Sequence, residues 1–427
     1  SNLTGTFENN GRLAFKMYYY GSERGLPGAA IYYMDYSGER LKDRNAFAQV
    51  RYEQPLNEKI DFMAHAKVNF STIDYTDVQN FYPGGEKESH YEQREYYLNT
   101  TVLYQLSRHL SFSWANDGIA GNFRSNLPNN VFPSRIAWLS ALSGQYEAAI
   151  FTLTAKLLYT AIDDRAKIGN APADYSHFSP YLSFSVHPLK NIPLRLRGFY
   201  KNSFRMPTFG DLYYSIRPTL NLKPENAHQY NAGLTFAASG NRLFSLISFS
   251  GDLYRYRIEN KIVAIPKSSL FSQSIQNYGK VETTGVDMSL KIHLQTGKRL
   301  LWKINGTYTY QKVLDKTDPN TGIYNQQIPY TPCHTASGYI RLETPWINFN
   351  YTLLYSGKRY YERVNRREFQ MNAFTEQGIA LTKNMRRKNV SYILKAECAN
   401  LFNVPYEVVR SYPMPGRSFR FGINLNY

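Results

Sequence analysis

The stretch Phe151-Thr152-Leu153-Thr154-Ala155-Lys156-Leu157-Leu158-Tyr159-Thr160-Ala161 decides the fold class of this sequence. Apolar residues recur at every second position, and threonine or lysine fills most of the positions between them. Because side chains on a strand point to opposite faces in turn, the stretch predicts a strand with one apolar and one polar face. Strands in soluble proteins typically have about five or six residues, whereas membrane-spanning strands have about 9–11. The length of this stretch therefore favours a strand that crosses a membrane.

The same alternation appears in three other parts of the chain, at residues 60–70, 302–311 and 347–355. Aromatic residues stand at the ends of several apolar faces, where transmembrane barrels carry girdles at the two membrane interfaces. These aromatic residues are Tyr159, Tyr310, Tyr355 and Tyr427. Both features predict a sheet whose apolar face meets lipid.

The spacing of the strands gives a second signal. We count eighteen candidate strands, the first centred near residue 16, and the links between them alternate between short turns and long loops. Outer-membrane barrels have short periplasmic turns and long extracellular loops. The pattern predicts an all-β fold, an antiparallel up-and-down transmembrane β-barrel that forms one domain over residues 1–427. A closed barrel leaves no unpaired backbone group in the hydrocarbon, and its polar face then lines a wet lumen.

Composition excludes several other classes of protein. The chain has 427 residues, of which 43% are hydrophobic and 15% aromatic, so it is not intrinsically disordered. No stretch approaches the roughly 18–20 apolar residues that a spanning helix needs. Two cysteines, Cys333 and Cys398, cannot staple a chain of this length. The net charge is +17, but the basic residues are dispersed, which argues against a nucleic-acid partner.

The end of the chain carries a terminal amphipathic strand. Five apolar residues share one face, namely Phe419, Phe421, Ile423, Leu425 and Tyr427. A last strand that ends in an aromatic residue resembles the signal by which the outer-membrane assembly machinery recognises its clients. We therefore expect these five residues to form an outer-membrane insertion signal.

Three groups of motifs resemble TonB-dependent outer-membrane receptors. Before the last strand stand ANLFN at residues 399–403 and YPMPGR at residues 412–417. Near the middle of the chain stand SFRMPTFGDLY at residues 203–213 and NLKPE at residues 221–225. The segment SERGLPG at residues 22–28 is similar to one in receptors of the Bacteroidetes type.

This resemblance implies a Gram-negative outer-membrane receptor that imports a scarce nutrient at the expense of the inner-membrane proton gradient. The nutrient would be an iron chelate, haem, cobalamin or an oligosaccharide. The family barrel has 22 strands around a plug domain, and we find about 18 strands, no plug and no TonB box. We therefore expect a monomeric barrel fragment that lacks the plug and the first four strands. Its partners would be outer-membrane lipid, lipopolysaccharide, the small nutrient ligand and, through the missing plug, TonB.

Catalytic signatures are absent from the sequence. It contains no H-E-x-x-H, G-x-S-x-G, Walker A or paired C-x-x-C motif, and its eight histidines are scattered singly. We therefore expect no enzyme activity, no catalytic residue, no metal site and no cofactor.

The best candidates for ligand contact are aromatic and arginine side chains in the long loops and on polar strand faces. Such side chains stack on and hydrogen-bond to bulky ligands. The candidates are Arg205, Tyr213, Tyr214, Arg217, Tyr330, Tyr360, Tyr361, Arg363, Arg195 and Arg197.

Two other functions remain open on the sequence alone. One is a passive porin-like channel, which would conduct without TonB. The other is a soluble secreted β-protein with a binding role. In a soluble protein, apolar residues such as Phe151, Leu153 and Tyr351 would be packed in a protein core.

Overall fold

The computed structural model describes most of the chain. The described residues are 2–26, 38–78, 86–128, 130–189, 191–214, 219–240, 243–266, 273–297, 299–387 and 390–426. The predicted site residue Arg217 and the terminal Tyr427 lie outside them.

Within these ranges the chain is almost entirely β-structure. The first twelve strands are β1 (Asn2–Thr6), β2 (Arg12–Gly25), β3 (Arg40–Asn57), β4 (Ile60–Asp77), β5 (Lys87–Gln105), β6 (Leu110–Ser125), β7 (Pro133–Glu147), β8 (Phe151–Ala166), β9 (Tyr175–Val186), β10 (Leu194–Arg205), β11 (Glu225–Ala238) and β12 (Phe244–Pro266). The others are β13 (Gln273–Thr296), β14 (Leu300–Asp315), β15 (His334–Glu343), β16 (Asn348–Ser356), β17 (Arg359–Tyr360), β18 (Gln370–Met371), β19 (Phe374–Arg387), β20 (Val390–Ala399), β21 (Glu407–Val409), β22 (Tyr412–Pro413) and β23 (Ser418–Asn426). A short α-helix, α1 (Phe209–Tyr213), and a 3-10 helix at Arg367–Phe369 interrupt the long loops. No helix of the described chain is both long and apolar enough to span a membrane.

The strands join in antiparallel order, as the sequence predicts. Nineteen of the described strands belong to one sheet, and the pairs β17–β18 and β21–β22 are small hairpins within long loops. The predicted count of about eighteen missed β1, which pairs with β2 from Asn2 opposite Lys16 to Thr6 opposite Arg12. A five-residue strand is too short to display a clear alternation, so periodicity did not reveal it.

Connections alternate in length, which confirms the predicted pattern. Residues 106–109 join β5 to β6, whereas residues 316–333 join β14 to β15. Chain contacts divide the structure into two compact units. Unit 1 comprises residues 1–184, 200–228 and 258–278, and unit 2 comprises residues 185–199, 229–257 and 279–427.

In unit 1 the apolar face of the sheet is exposed. Register places Leu142 of β7 directly opposite Leu157 of β8, and these side chains are 59% and 45% exposed. Phe151 and Leu153 on the same face of β8 are 39% and 40% exposed. No layer of described protein covers these side chains, so the alternative of a soluble protein with these residues in an apolar core does not fit unit 1. The apolar face is built to meet lipid.

The buried core of unit 1 lies on the opposite, polar face of the sheet. There the described residues of the loop between β10 and β11, 206–214 and 219–224, pack against β5 and β6. Its core residues are Tyr91, Phe123, Phe209, Leu212, Tyr213 and Leu222, each less than a tenth exposed. The described part of this loop therefore covers the sheet face that the sequence predicted to line a wet lumen.

Candidate functional site

The 206–224 loop of unit 1 is organised by its own charged residues. Thr208 caps α1, because its side chain accepts from the backbone of Asp211 while the Asp211 carboxylate accepts from the backbone of Thr208. Arg205 donates to the same carboxylate at 2.8 Å and to Glu225 at 3.1 Å. The Glu225 carboxylate also accepts from the backbone of Ile262 at 2.6 Å. The charged residues of the mid-chain motif thus pin the two ends of the loop together.

The capped helix turns its apolar side chains into the core. Phe209, Leu212 and Tyr213 follow the i, i+3, i+4 spacing of one helix face, and Tyr213 is only 5% exposed. Tyr214 follows the helix and stacks on Tyr91 with ring centroids 4.5 Å apart. These contacts support packing roles for Tyr213 and Tyr214, while half-exposed Arg205 remains accessible.

A nearly buried ion pair anchors the start of this loop. Arg135 of β7 lies opposite Asp164 of β8, and its guanidinium donates two hydrogen bonds of 2.7 Å to the Asp164 carboxylate. The same guanidinium donates to the carbonyl of Pro207 at 2.7 Å and lies 5.4 Å from the centroid of the Phe209 ring. The guanidinium of Arg135 therefore connects β7 and β8 to the loop.

Burial of the loop tyrosines predicts loss of loop order at alkaline pH. Burial raises the pKa of Tyr213 and of Tyr214 to about 12, above the value of about 10 expected in an unfolded chain. Because the folded pKa is the higher one, the stability from these groups is complete below pH ~10 and is lost as the pH rises towards ~12. We expect the 206–224 loop to resist protease at pH 9 and to become cleavable across that window.

The double variant Tyr213→Phe/Tyr214→Phe is the matched control, because it keeps the rings and cannot ionise. It should keep the loop resistant to protease over the same alkaline window. Equal cleavage of the native and double-variant loops would show that another group controls the transition.

A polar network that the sequence did not predict lies beside the loop in unit 1. His177 Nε2 lies 2.7 Å from Asn202 Oδ1, and Asn202 donates to Asn226 at 2.7 Å. Tyr200 and His228 are joined at 3.0 Å. The described residues contain no group of three or more His, Cys, Asp or Glu side chains able to hold a metal ion. His177 and His228 are far apart in the sequence, so no motif predicted this network.

Unit 2 has its own assembly of loops, formed by residues 316–333, 357–373 and 400–417, which we call the loop cluster. Arg363 donates to the nearly buried carboxylate of Asp315 at 2.9 Å. The backbone N–H of Tyr330 donates to the carbonyl of Tyr360 at 2.7 Å. Asn365 bonds to the backbone of Gln327 through both its amide nitrogen and its oxygen. Four predicted contact residues are therefore brought together: Tyr330, Tyr360, Tyr361 and Arg363.

A buried arginine holds the third loop in this cluster. Arg359 is 3% exposed and donates to the carbonyls of Asn372, Glu407 and Val408. Burial lowers the pKa of its guanidinium. Arg359 was not among the predicted contact residues, because no spacing rule marks an arginine that pairs with backbone carbonyls from distant loops.

The outer part of the loop cluster carries a stacked cation. The guanidinium of Arg410 lies 4.0 Å from the centroid of the Tyr361 ring, within the range of a cation–π interaction. The Tyr361 ring also meets Phe369 edge-on at 5.6 Å. Arg410 is exposed and Tyr361 partly exposed, so this pair is available to a ligand.

The two strand arginines lie apart from the loop cluster. Arg195 donates to His187 at 2.9 Å, beside the short turn between β9 and β10. Arg197 binds Asp252 at 2.5 Å and also Thr235. They belong to the short-turn end of their strand. On β23, Phe419, Phe421, Ile423 and Leu425 are all more than half exposed.

Comparisons with solved structures find the same fold. The siderophore receptor PiuA from Acinetobacter baumannii is 13% identical with a TM-score of 0.75, covering 99% of this chain and 73% of that one. The iron transporter FrpB from Neisseria meningitidis, F3-3 variant, is 12% identical with a TM-score of 0.73, covering 99% of this chain and 70% of that one. At this identity the likeness concerns the fold.

Comparison of sequences identifies the family. A probable hemoglobin and hemoglobin-haptoglobin-binding protein of Haemophilus influenzae is 28% identical over 181 residues, which are 38% of this chain and 16% of that protein. The family model "TonB dependent receptor-like, beta-barrel" matches residues 2–401. The chain therefore belongs to the TonB-dependent receptor-like β-barrel family, whose members lie in the outer membrane and are not enzymes, as the sequence predicted.

Proposed function

We propose that this chain supplies the barrel wall and the ligand-contacting loops of a receptor for TonB-dependent nutrient uptake. In this mechanism the nutrient binds from outside, and TonB, driven by the inner-membrane proton gradient, pulls on a plug domain that is not among these residues. The observation that carries the proposal is the loop cluster at the long-loop end of unit 2. There the Arg363–Asp315 ion pair and the buried Arg359 hold the loops together, and Arg410 stacks on Tyr361.

The chemistry of the cluster suits a bulky anionic ligand. Arginine binds carboxylate and phosphate groups, and tyrosine rings stack on flat apolar surfaces. Among the family nutrients, we propose an iron chelate or haem ahead of cobalamin and oligosaccharides. The names of a haemoglobin-binding relative and of a siderophore receptor with the same fold support this order.

We also propose that residues 1–427 act as one barrel domain in a monomer. The unbroken family match over residues 2–401 supports a single domain. The segment SERGLPG at residues 22–28 supports a receptor of the Bacteroidetes type.

Uptake by cells carrying the receptor tests the proposed function. We expect Tyr361→Ala and Arg410→Ala each to weaken nutrient uptake affinity about threefold. Each change removes one member of an exposed cation–π pair, and such a pair is worth ~0.5–1 kcal/mol. The double variant should be little worse than either single variant, since both changes break one contact. Uptake of radiolabelled iron from haemin and from ferric chelates is the measurement.

The control is Trp346→Ala, an exposed aromatic in the short turn between β15 and β16. It should leave uptake unchanged, because that turn lies at the other end of the strands. Equal uptake in cells with and without TonB would contradict the proposal and favour the passive channel.

A further inference from the structure

The short-turn end of unit 2 carries a polar pocket that no part of the proposed receptor mechanism uses. It lies beside the turn between β15 and β16, and side chains of these two strands and of β19 line it. Its volume is about 260 Å³, a little below the roughly 300–1,000 Å³ range of drug-sized sites. The lining includes Arg341, Glu343, Trp346, Asn348, Thr382 and Asn384.

Thr344 fixes the conformation of the turn. Its side-chain oxygen accepts from the backbone N–H groups of Trp346 at 3.2 Å and Ile347 at 3.1 Å. Its hydroxyl donates to the carbonyl of Ile347 at 2.7 Å, and its backbone N–H donates to the Asn348 side chain at 3.3 Å. The turn thus presents Trp346, which is 71% exposed, on a rigid support. A ring that is already in place loses little conformational entropy when a ligand binds.

The surroundings of Trp346 differ from those of a tryptophan on the lipid-facing side. Trp114 of β6, on that side, lies directly opposite Leu142 of β7. Trp346 instead lines a pocket whose other side chains include two amides, a hydroxyl and an ion pair. Asn348 and Thr382 of this lining are directly paired, so both lie on the polar face of the sheet. The ring therefore belongs to a polar site and not only to an interfacial aromatic belt.

A flat apolar ring beside amide and hydroxyl groups suits a sugar. One face of a pyranose carries C–H groups, which pack on an aromatic ring, and its rim carries hydroxyls that both donate and accept hydrogen bonds. Among the described residues, the side chains of Thr382 and Asn384 make no hydrogen bond to protein. Both groups are therefore available to the rim of a sugar.

The pocket also has an excess of positive charge. Arg341 Nε lies 3.1 Å from Glu343 Oε1, and Lys303 Nζ lies 2.7 Å from the same oxygen. Two cations thus share one carboxylate, and the Arg341 side chain is 41% exposed. Because a charged cleft attracts ligands of the opposite sign, the excess favours a sugar that carries a carboxylate over a neutral one.

We propose that this pocket binds an acidic amino-sugar glycan of the cell wall. A sugar ring packs on Trp346, its polar rim bonds to Thr382 and Asn384, and a carboxylate of the glycan pairs with Arg341. This inference rests on the orientation in the proposed function, in which the short turns face the periplasm, where the cell wall lies. It does not depend on TonB or on the nutrient.

Titration calorimetry of the purified protein in mild detergent tests the site. The probes are N-acetylglucosaminyl-N-acetylmuramyl tripeptide, which is acidic, and diacetylchitobiose, which is neutral. We expect the acidic probe to bind more tightly, and its binding to weaken at high salt because exposed charges are screened. Trp346→Ala and Arg341→Gln should each weaken it about tenfold, by loss of ring packing and of a charged hydrogen bond. Trp346→Phe should keep most of the affinity, because it keeps a ring.

Two variants serve as matched controls. Arg51→Gln breaks an arginine–glutamate pair with the same spacing of two residues, on β3 in unit 1. Trp138→Ala removes an exposed tryptophan from the apolar face of β7. Both should bind the acidic probe like the native protein, and heat-induced unfolding should be similar for all variants.

Native-like binding of the acidic probe by Trp346→Ala or by Arg341→Gln would overturn the proposal, as would equally tight binding of diacetylchitobiose. Binding of phosphatidylglycerol that requires Trp346, with no binding of the glycan, would also overturn it and indicate a lipid headgroup site. Because no uptake is measured, failure here leaves the proposed function standing. Loss of TonB-dependent uptake would likewise leave the glycan site standing.

Discussion

Arg135→Met is expected to release the 206–224 loop from the sheet and to destabilise unit 1 by about 3–5 kcal/mol. The change leaves the carboxylate of Asp164, whose side chain is 4% exposed, without its cation. It also removes the hydrogen bond to the carbonyl of Pro207 and the charge beside the Phe209 ring. Limited proteolysis within residues 206–224 and denaturant unfolding in detergent measure the two effects.

Arg165→Gln is the matched control, because Arg165 pairs with Asp163 on the same β8 strand at 2.9 Å. That pair is 74% and 40% exposed, so its loss should not measurably change stability or cleavage. Similar behaviour of the two variants would mean that the buried pair does not anchor the loop.

The double variant Arg135→Met/Asp164→Leu separates the loss of a charge partner from the loss of packing. Replacing both members of a buried ion pair with apolar residues is often neutral or stabilising. We therefore expect the double variant to recover most of the stability that Arg135→Met loses. The loop should still be cleaved faster than in the native protein, because the hydrogen bond to Pro207 is not restored.

The sequence alone predicted the sheet because its physics is local. The alternation of apolar and polar residues, and the position of the next turn, can both be read from the sequence of β7 and β8. The membrane environment strengthens this signal, because lipid on one side and polar groups on the other enforce the alternation along whole strands. Of the nineteen described strands in the large sheet, β1 alone was not predicted, since five residues carry too little pattern.

The loops could not be predicted in the same way, because their partners are distant in sequence. Tyr213 was expected to contact ligand, yet α1 turns it into a core built from β5 and β6. Thr208 and Asp211, three residues apart at the helix start, form a capping box that could have revealed this helix and its inward face. No local signal marks Arg135, whose partner Asp164 lies 29 residues away, or Arg359, whose partner Glu407 lies 48 residues away.

The candidate site shows the same division. Sequence reasoning placed Tyr330, Tyr360, Tyr361 and Arg363 in long loops, and the structure packs those loops together. It did not find Arg410, because only the folded third loop brings this guanidinium over the Tyr361 ring. Residue type and loop membership could be predicted, whereas which loops meet depends on the register of the strands that carry them.

Leu157→Arg is expected to destabilise the folded protein in a bilayer or micelle by about 2–4 kcal/mol, the cost of a cation at the centre of a lipid-facing strand. Leu157 lies in an apolar row with Val102, Trp114 and Leu142. Its side chain is 45% exposed with no described protein layer over it, so an arginine there would displace lipid contacts and not core packing. Denaturant unfolding in phospholipid vesicles measures the change.

Thr154→Arg is the control on the same strand, because Thr154 alternates with the apolar residues and lies on the polar face. The same side chain there should have little effect, since it reaches a polar environment. A large cost at both positions would indicate that β8 is buried on both faces, and no cost at Leu157 would indicate that water meets the apolar face. Either result would remove the physical basis for a lipid-facing sheet, because the membrane assignment requires that the two faces of one strand respond differently to the same charge.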